Sequence, residues 1–576
     1  MSKTVIVERN VEATMRDGVI LRADVYRPDG VDKLPVLLQR TPYGKGAASV
    51  AFALMAAERG YVVVIQDTRG HWASDGEGYP LIYEMRDGYD TVEWAARQPW
   101  ADGQVGMFGG SYVGYTQWAA AAMQPPALKA IVPGVTFCDP YSAYAYTGGA
   151  LQAGVQISWG LTSEALLGIA RLPDDDPRKG PWLEQLLDMA DGLGTGATFK
   201  RLPMAEMPLI GREGITTLLY DVLAHPTRDE YWQQVACPHD RVQVPAFHMG
   251  GWYDIFTSNT LEDFTGIRAN GATEVARAHQ KALIGPWHHG LFMNPVGQAD
   301  FGVRSGAPVV LPEELQFRWF DYWLKGIDNG IVDEPPLRIF VMGDNVWRDE
   351  QEWPLARTRY TPYYLHSGGA ANSLHGDGAL SPDGPAEESV DTYVYDPRNP
   401  VPTRGGGLCC SITALAPGAY DQRPVEERPD VLVYTTPSLT DDMEVTGPLV
   451  VHLWAATSAP DTDFTAKLVD VYPCGYARNV QDSILRARYR QGDGQARLVT
   501  PGEVYEYTID LKATSNVFKA GHCIRLEISS SNFPQFDRNL NTGEPVGQGT
   551  AMRPATQTIL HDSAHPSHIV LPVIPR

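Results

Sequence analysis

The feature that most constrains this chain is the run Gly109–Gly114, which reads GGSYVG. It follows the apolar segment Val105–Phe108 and precedes Tyr115–Met123, an alanine-rich stretch typical of a helix. Ser111 therefore lies between small residues where a buried strand turns sharply into a helix, the sequence form of a nucleophile elbow. Free N–H groups at the start of that helix favour a developing negative charge. The usual pattern is Gly-x-Ser-x-Gly, and here the second glycine comes one residue late.

Two later strand ends carry the residue types that would complete an acyl-transfer triad. The apolar segment Val244–Met249 leads into Gly-Gly-Trp-Tyr and Asp254, and Lys281–Ile284 leads into Gly-Pro-Trp followed by His288 and His289. The order serine, acid, histidine at the carboxyl ends of parallel strands is that of α/β-hydrolases. Taken alone, Asp254 could instead be a helix N-cap, and His288 competes with His289 for the role of base. His248, inside its apolar strand, is expected to be a hydrogen-bonded core residue.

Strand and helix signals alternate through the first part of the chain and predict a parallel sheet covered by helices. The predicted elements are strands at Pro35–Gln39, Tyr61–Gln66, Ala127–Val135 and Pro336–Met342, and helices at Ala48–Glu58, Tyr83–Gln98 and Glu314–Lys325. Between about residues 146 and 240 the strand signals fade and helical spacings appear. After about residue 356 the hydrophobic period becomes two, as in 505–511 and 524–528, which indicates antiparallel β-structure.

The motifs around the three candidate residues resemble those of the bacterial cocaine esterase group. That group is related to X-Pro dipeptidyl peptidases and α-amino acid ester hydrolases. The shared motifs are Gly-x-Ser-Tyr-x-Gly, Gly-Trp-Tyr-Asp and Gly-Pro-Trp-x-His, with further matches at Arg40–Tyr43, Gln66–Gly70, Asp461–Val471 and Ser530–Pro534. The resemblance runs from Met15 to Pro572 and so covers nearly the whole chain.

This resemblance implies an α/β-hydrolase core with an inserted helical cap domain and a C-terminal β jelly-roll domain. The expected boundaries are residues 1–145 and 241–355 for the catalytic core, 146–240 for the cap and 356–576 for the jelly-roll β-sandwich. The cap interrupts the core between the segments that carry Ser111 and Asp254.

The expected catalytic roles are those of a serine hydrolase. Ser111 is the nucleophile, His289 is selected as the base by the pattern Gly-Pro-Trp-x-His, and Asp254 orients the imidazole. The backbone N–H of Tyr112, the residue after the nucleophile, is one expected donor of the oxyanion hole. The resemblance assigns the second donor to the hydroxyl of Tyr43, although an aromatic side chain packed on a turn is the alternative for that residue.

Five residues are expected to line the substrate pocket by resemblance, with plain core packing as the alternative for each. They are Tyr144, Trp159, Phe256, Cys409 and Cys410. The two cysteines stand where the cocaine-degrading relative has larger apolar residues, which puts a benzoyl-ester preference in doubt. Because they are adjacent, they are poorly placed to bond each other.

Composition narrows the partners and the compartment. The 576 residues are 43% hydrophobic and 20% charged, as in globular proteins, and suggest three or four domains. A net charge of −22 argues against nucleic-acid or anionic-membrane partners. No 18-residue apolar run appears, and six cysteines in so long a chain do not make a disulfide framework, so a cytoplasmic location is expected. The pair Asp461 and Asp463 is expected to form a solvated turn rather than a calcium site.

The sequence therefore predicts a serine carboxylesterase that acts on small-molecule esters and uses no metal or organic cofactor. It leaves the oligomeric state open, with a homodimer as one candidate. The nearest alternative is an amidase, acylase, α-amino acid ester hydrolase or X-Pro dipeptidyl peptidase with the same triad, because ester and amide cleavage share one tetrahedral intermediate. A requirement for a free α-amino group would need acidic residues near the pocket, and no motif locates any. A binding protein with an inactive hydrolase core is the alternative from another class.

Overall fold

A ten-stranded mixed sheet forms the core of the chain in the computed structural model, which describes residues 4–30, 32–46, 49–387, 389–411 and 414–575. Its first six strands are β1 Val5–Thr14, β2 Ile20–Pro28, β3 Leu34–Thr41, β4 Val62–Asp67, β5 Ala101–Gly110 and β6 Leu128–Gly134. A short hairpin follows, with β7 at Tyr146–Thr147 and β8 at Ala150–Leu151. The remaining core strands are β9 Ala246–Tyr253, β10 Gln280–His288, β11 Leu337–Val341 and β12 Val346–Glu350.

The strand order of this sheet is β1-β2-β4-β3-β5-β6-β9-β10-β11-β12. Its parallel strands are β4, β3, β5, β6, β9, β10 and β11. Strands β1 and β2 at one edge and β12 at the other pair antiparallel. Every residue of β4 and β9 is buried, as expected for strands covered on both faces. Because β5, β9 and β10 are parallel, their carboxyl ends meet at one edge of the sheet.

Helices cover both faces of the core. They are α1 Val50–Glu58, α2 Glu84–Ala96 and α3 Tyr112–Ala122. The inserted segment adds α4 Ala153–Trp159, α5 Leu166–Ala170, α6 Lys179–Gly194, α7 Leu218–Ala224 and α8 Glu230–Gln233, and the core continues with α9 Thr257–Asn270, α10 Glu274–Ala278, α11 Ala307–Val310 and α12 Pro312–Lys325. The predicted core elements are confirmed, except that Ala48, where the first predicted helix begins, lies outside the described residues.

A C-terminal all-β domain completes the chain. Its strands are β13 Arg359–His366, β14 Ala379–Ser381, β15 Asp391–Tyr395, β16 Leu432–Thr435, β17 Met443–Thr457, β18 Asp463–Val471, β19 Ala477–Arg486, β20 Tyr505–Phe518, β21 Cys523–Ser529, β22 Ala555–Leu560 and β23 His568–Ile574, with a short helix α13 at Arg423–Glu426. Tyr507, Ile509 and Leu511 of β20 point inward and alternate with exposed residues, as the period-two pattern predicts. The narrower description as a jelly roll and the expected domain boundaries stay predictions.

The C-terminal β domain contacts the core sheet at the carboxyl end of β9. Gln481 on β19 donates to the Trp252 carbonyl over 2.8 Å, and the Tyr253 hydroxyl donates to the Asn479 carbonyl over 2.8 Å. These bonds hold the end of β9, the strand that leads into Asp254.

The environment of the acidic pair Asp461 and Asp463 differs from the expected solvated turn. Asp461 and Asp463 are buried rather than solvated. Arg488 donates to Asp461 over 2.8 Å and Arg486 donates to Asp463 over 2.9 Å, while the Asn539 amide bonds both carboxylates. The pair is therefore neutralised by arginines at the start of β18, and the predicted solvated turn was wrong. Among the described residues, no helix has the length and apolar character needed to cross a membrane.

Candidate active site

The turn between β5 and α3 presents Ser111 at the carboxyl edge of the sheet. Ser111 has a φ of 60° and a ψ of −128°, a backbone conformation that is strained for a residue with a side chain. The neighbouring residues must be small because space is short. A Cβ atom on Gly109 would lie 2.3 Å from the Cγ1 of Val113. The predicted strand–serine–helix elbow is thus present, with α3 beginning at Tyr112.

The late second glycine of the motif has a packing reason. A Cβ atom on Gly114 would lie 2.6 Å from the Cβ of Thr136, a residue that follows β6. The Thr136 hydroxyl in turn donates to the Ser111 carbonyl over 2.8 Å. The close approach of α3 to Thr136 therefore requires a residue without a side chain at position 114.

Ser111, His289 and Asp254 form one chain of hydrogen bonds. The Nε2 of His289 lies 2.9 Å from the Ser111 Oγ, and its Nδ1 lies 2.8 Å from the Asp254 Oδ1. The Asp254 side chain is fully buried, whereas 17% of the His289 side chain stays exposed. A buried carboxylate at Nδ1 holds the imidazole with Nε2 unprotonated, so that Nε2 can accept the serine proton.

The other two histidines near these strands face elsewhere. His288 accepts the Gly290 N–H at its Nδ1 over 2.9 Å, and desolvation lowers the pKa of its imidazole. His248 pairs through Nε2 with the Gln280 Oε1 at 2.9 Å, and burial lowers its pKa to about 4. His248 is therefore a core residue, as expected, and only His289 reaches the serine.

Tyr43 places its hydroxyl beside the serine. The Trp159 Nε1 donates to this hydroxyl over 3.1 Å, and Tyr43 and Ser111 line the same pocket. Although 38% of the Tyr43 residue is exposed, its hydroxyl end is desolvated, which raises the pKa of the phenol to about 12. The hydroxyl thus keeps its proton at neutral pH and can donate it to an anion.

The backbone N–H of Tyr112 lies at the first position of α3, where a helix offers it no acceptor. The Tyr112 side chain is held away from the serine, because its hydroxyl donates to Glu84 over 3.0 Å and accepts the Leu81 N–H over 2.9 Å. Its ring stacks on Trp159 with centroids 6.0 Å apart. The Tyr112 N–H is therefore part of the same elbow as Ser111, whereas Tyr43 comes from the loop after β3 and lines the same pocket.

An apolar pocket opens beside Ser111. It is lined by Tyr43, Pro80, Leu81, Ser111, Tyr112, Phe137, Tyr144, Val155, Trp159, Phe256, Cys409 and Cys410. All five residues predicted for the pocket lie in this wall. The sequence reasoning missed four others: Pro80, Leu81, Phe137 and Val155. Phe137 lies three residues after β6, in the loop at the carboxyl edge of the sheet, which is where ligands bind in such folds.

Cys409 and Cys410 are joined by a disulfide bond, which corrects the expectation that adjacent cysteines would not pair. That expectation holds for extended backbone, in which neighbouring side chains point to opposite faces. Cys410 instead has a φ of 73°, so the chain turns between the two side chains. The other four cysteines, at positions 138, 237, 474 and 523, are free thiols.

One group of metal-type ligands occurs among the described residues. Ligand atoms of Cys138, His239 and Asp263 lie within 4.8 Å of one another. The Asp263 carboxylate already accepts the Cys138 N–H over 3.0 Å and pairs with the His239 Nε2 at 2.9 Å. Protein groups thus satisfy this carboxylate, and the group lies outside the walls of the pocket.

Comparison with known proteins identifies the family. The X-Pro dipeptidyl-peptidase (S15 family) model matches residues 17–291, which include Ser111, Asp254 and His289, and the X-Pro dipeptidyl-peptidase C-terminal non-catalytic domain model matches residues 329–570. The cocaine esterase of Rhodococcus sp. (strain MB1 Bresler) is 42% identical over 99% of both chains. This chain belongs to the cocaine esterase group of the S15 family.

Solved structures agree with the membership in the cocaine esterase group. An aminopeptidase from the marine sediment archaeon Thaumarchaeota archaeon superimposes with a TM-score of 0.81 at 26% identity, covering 100% of this chain and 97% of its own. An α-amino acid ester hydrolase superimposes with a TM-score of 0.78 at 27% identity, covering 99% and 97%. The resemblance and the α/β-hydrolase fold class are confirmed, and the protein is a serine hydrolase.

Proposed function

We propose that this member of the cocaine esterase group hydrolyses small-molecule carboxylic esters through an acyl-enzyme on Ser111. The observation that carries the proposal is the unbroken hydrogen-bond chain from Ser111 through His289 to Asp254, at the mouth of an apolar pocket. A base within hydrogen-bond reach of a nucleophile, itself oriented by a third group, is the arrangement that acyl transfer requires.

The reaction begins when His289 Nε2 takes the Ser111 Oγ proton and the oxygen attacks the ester carbonyl. The negative charge that develops on the carbonyl oxygen is met by the Tyr112 N–H and the Tyr43 hydroxyl. The imidazolium, stabilised by Asp254, then protonates the leaving alcohol. Water enters, His289 again acts as base, and the acid is released from the serine.

The pocket composition favours esters of apolar acids over substrates with a free α-amino group. Its lining residues include four aromatic rings besides Tyr43 and Tyr112, formed by Phe137, Tyr144, Trp159 and Phe256 (with Phe256 also in edge contact with the His289 ring). None of the described lining residues is an Asp or a Glu that could pair with an ammonium group. The name of the 42% identical relative, cocaine esterase, also denotes an ester-cleaving enzyme.

A substrate panel separates this proposal from its nearest alternative. We expect rapid turnover of p-nitrophenyl acetate and butyrate. Much slower turnover is expected for the matching p-nitroanilides, for phenylglycine methyl ester and for Ala-Pro-p-nitroanilide. Ser111→Ala should lose at least about 10³-fold in kcat on the acetate. Faster cleavage of the α-amino ester or the dipeptide anilide than of the simple esters would favour the α-amino acid ester hydrolase or the dipeptidyl peptidase instead.

We further propose that the enzyme works in the cytoplasm on a small-molecule ester, with neither nucleic acid nor membrane as a partner. Four free cysteines, one of them the exposed Cys474, and a net charge of −22 support this proposal. A homodimer stays an open expectation, which light scattering on the purified protein tests.

A further inference from the structure

The pocket beside Ser111 is also lined by a pair of cysteines that the proposed mechanism does not use. Cys409 is buried, with 6% of its surface exposed, whereas Cys410 is exposed to solvent. The two residues are joined to each other and both line the pocket. The pair therefore combines an exposed residue with a buried one, and both line the space beside Ser111.

The segment that carries this pair packs against the catalytic acid. A Cβ atom on Gly407 would lie 2.9 Å from the Asp254 carbonyl oxygen, so the backbone of the segment rests on the turn that follows β9. Gln535 also reaches the Gly407 carbonyl, over 3.5 Å. The segment is thus anchored at Gly407, and the disulfide closes the wall immediately after that anchor.

We propose that Cys409 and Cys410 are a reversible thiol–disulfide site that sets which acyl groups the pocket accepts. The proposal rests on the proposed function, because it assigns the pocket to the acyl group of the Ser111 ester. It differs from a structural disulfide in one respect: the bond links neighbouring residues, so it closes almost no loop and constrains the unfolded chain very little.

The chemistry is an ordinary exchange with an external dithiol. A thiolate of the dithiol attacks the Sγ of Cys410, the more exposed residue of the pair, the bond between the two cysteine sulfurs breaks, and Cys409 leaves as a thiolate that takes up a proton. The second thiol of the reagent then attacks the mixed disulfide and releases Cys410 as a thiol. The dithiol ends as its own disulfide, and its two hydrogens end on Cys409 and Cys410.

Reduction should widen the pocket. While the bond is closed, neither side chain can rotate about its Cα–Cβ bond, and both sulfurs stay in the wall. Once the bond is open, the Cys410 side chain can take the staggered rotamers that point to solvent. A difference of one methylene-sized group in an apolar pocket changes kcat/KM by about 10-fold to 200-fold. We expect a change of about 10-fold, in favour of bulky acyl groups.

The test compares the wild-type enzyme after treatment with reduced or oxidised dithiothreitol and removal of the reagent. We measure kcat/KM for p-nitrophenyl benzoate and p-nitrophenyl acetate, and we alkylate parallel samples with iodoacetamide for peptide mass mapping. The benzoate-to-acetate ratio should rise about 10-fold on reduction. Alkylation at Cys409 and Cys410 should appear only in the reduced sample, whereas Cys474 should be alkylated in both.

Two variants control the experiment. Cys410→Ser cannot form the bond, so its ratio should not respond to either reagent. Cys474→Ser lacks only an exposed thiol remote from the pocket wall, and it should respond as the wild type does.

Either of two results overturns the proposal: alkylation of Cys409 and Cys410 after oxidising treatment, or an unchanged ratio when mapping shows that the pair has opened. An enzyme that turns over neither ester in either state contradicts the proposed function instead, and the alkylation pattern then still decides whether the pair cycles.

Discussion

Removing the Tyr43 hydroxyl tests the oxyanion hole with the smallest change that the chain offers. The hydroxyl accepts the Trp159 N–H and, as a phenol, can still donate its own proton to an oxygen bound beside Ser111. In Tyr43→Phe the ring stays and the Tyr112 N–H remains as the second donor. The loss of one of two donors should lower kcat by about 10²–10³, or about 2.7–4 kcal/mol of transition-state stabilisation. The loss should fall on kcat more than on KM, because the charge exists only in the transition state.

The assay is steady-state hydrolysis of p-nitrophenyl acetate by Tyr43→Phe and wild type, with thermal melting of both proteins. The Trp159 N–H loses its acceptor in the variant, so unfolding should also become easier by about 1–3 kcal/mol. Tyr115→Phe is the matched control, because the Tyr115 hydroxyl donates to the Val235 carbonyl over 2.7 Å and does not face the serine. A well-folded Tyr43→Phe enzyme with the kcat of Tyr115→Phe would refute the assignment of Tyr43 as a donor.

Three further predictions concern the base, the elbow and the core. His289→Ala should be nearly inactive in ester turnover, whereas His288→Ala should keep substantial activity, and the opposite ranking would exchange their roles. Gly114→Val should reduce kcat sharply, since a Cβ there meets Thr136 at 2.6 Å and shifts the helix behind the serine; an unchanged kcat in a folded variant would count against this packing. His248 has a folded pKa lowered to about 4, so its contribution to stability is complete above its unfolded pKa and is lost as the pH falls through 4. The melting temperature should therefore fall less steeply between pH 7 and pH 4 in His248→Gln than in wild type. The same pH dependence of the melting temperature in both proteins would contradict a lowered pKa for His248.

The central sheet could be predicted because its strands are buried on both faces and read as continuous apolar runs, as β4 does. The antiparallel strands β1, β2 and β12 were not predicted. Of these, β1 and β12 lie at the sheet edges and keep several residues exposed, so their sequences alternate weakly and resemble loops. Each candidate catalytic residue could be located because it directly follows a predicted strand of the parallel sheet. Parallel strands have their carboxyl ends at the same edge, so residues that follow them come close together.

What could not be predicted depends on partners that are distant in sequence or on one backbone angle. The burial of Asp461 becomes understandable only with Arg488 and Asn539 beside it, and neither is adjacent in the chain. The bond between Cys409 and Cys410 depends on the positive φ of Cys410. A positive φ is usually indicated in a sequence by Gly or Asn, and a cysteine gives no such indication. Of the pocket wall, Leu81 comes from a loop without a recognisable motif.

The most direct test of the central claim is the site of covalent labelling by a fluorophosphonate. Treatment of the wild-type enzyme should abolish turnover of p-nitrophenyl acetate and add one phosphonyl group, which peptide mapping places on Ser111. Ser111→Ala should take up no label under the same conditions. A stoichiometric adduct on another serine, or full inhibition of Ser111→Ala with labelling elsewhere, would contradict the assignment of Ser111 as the nucleophile.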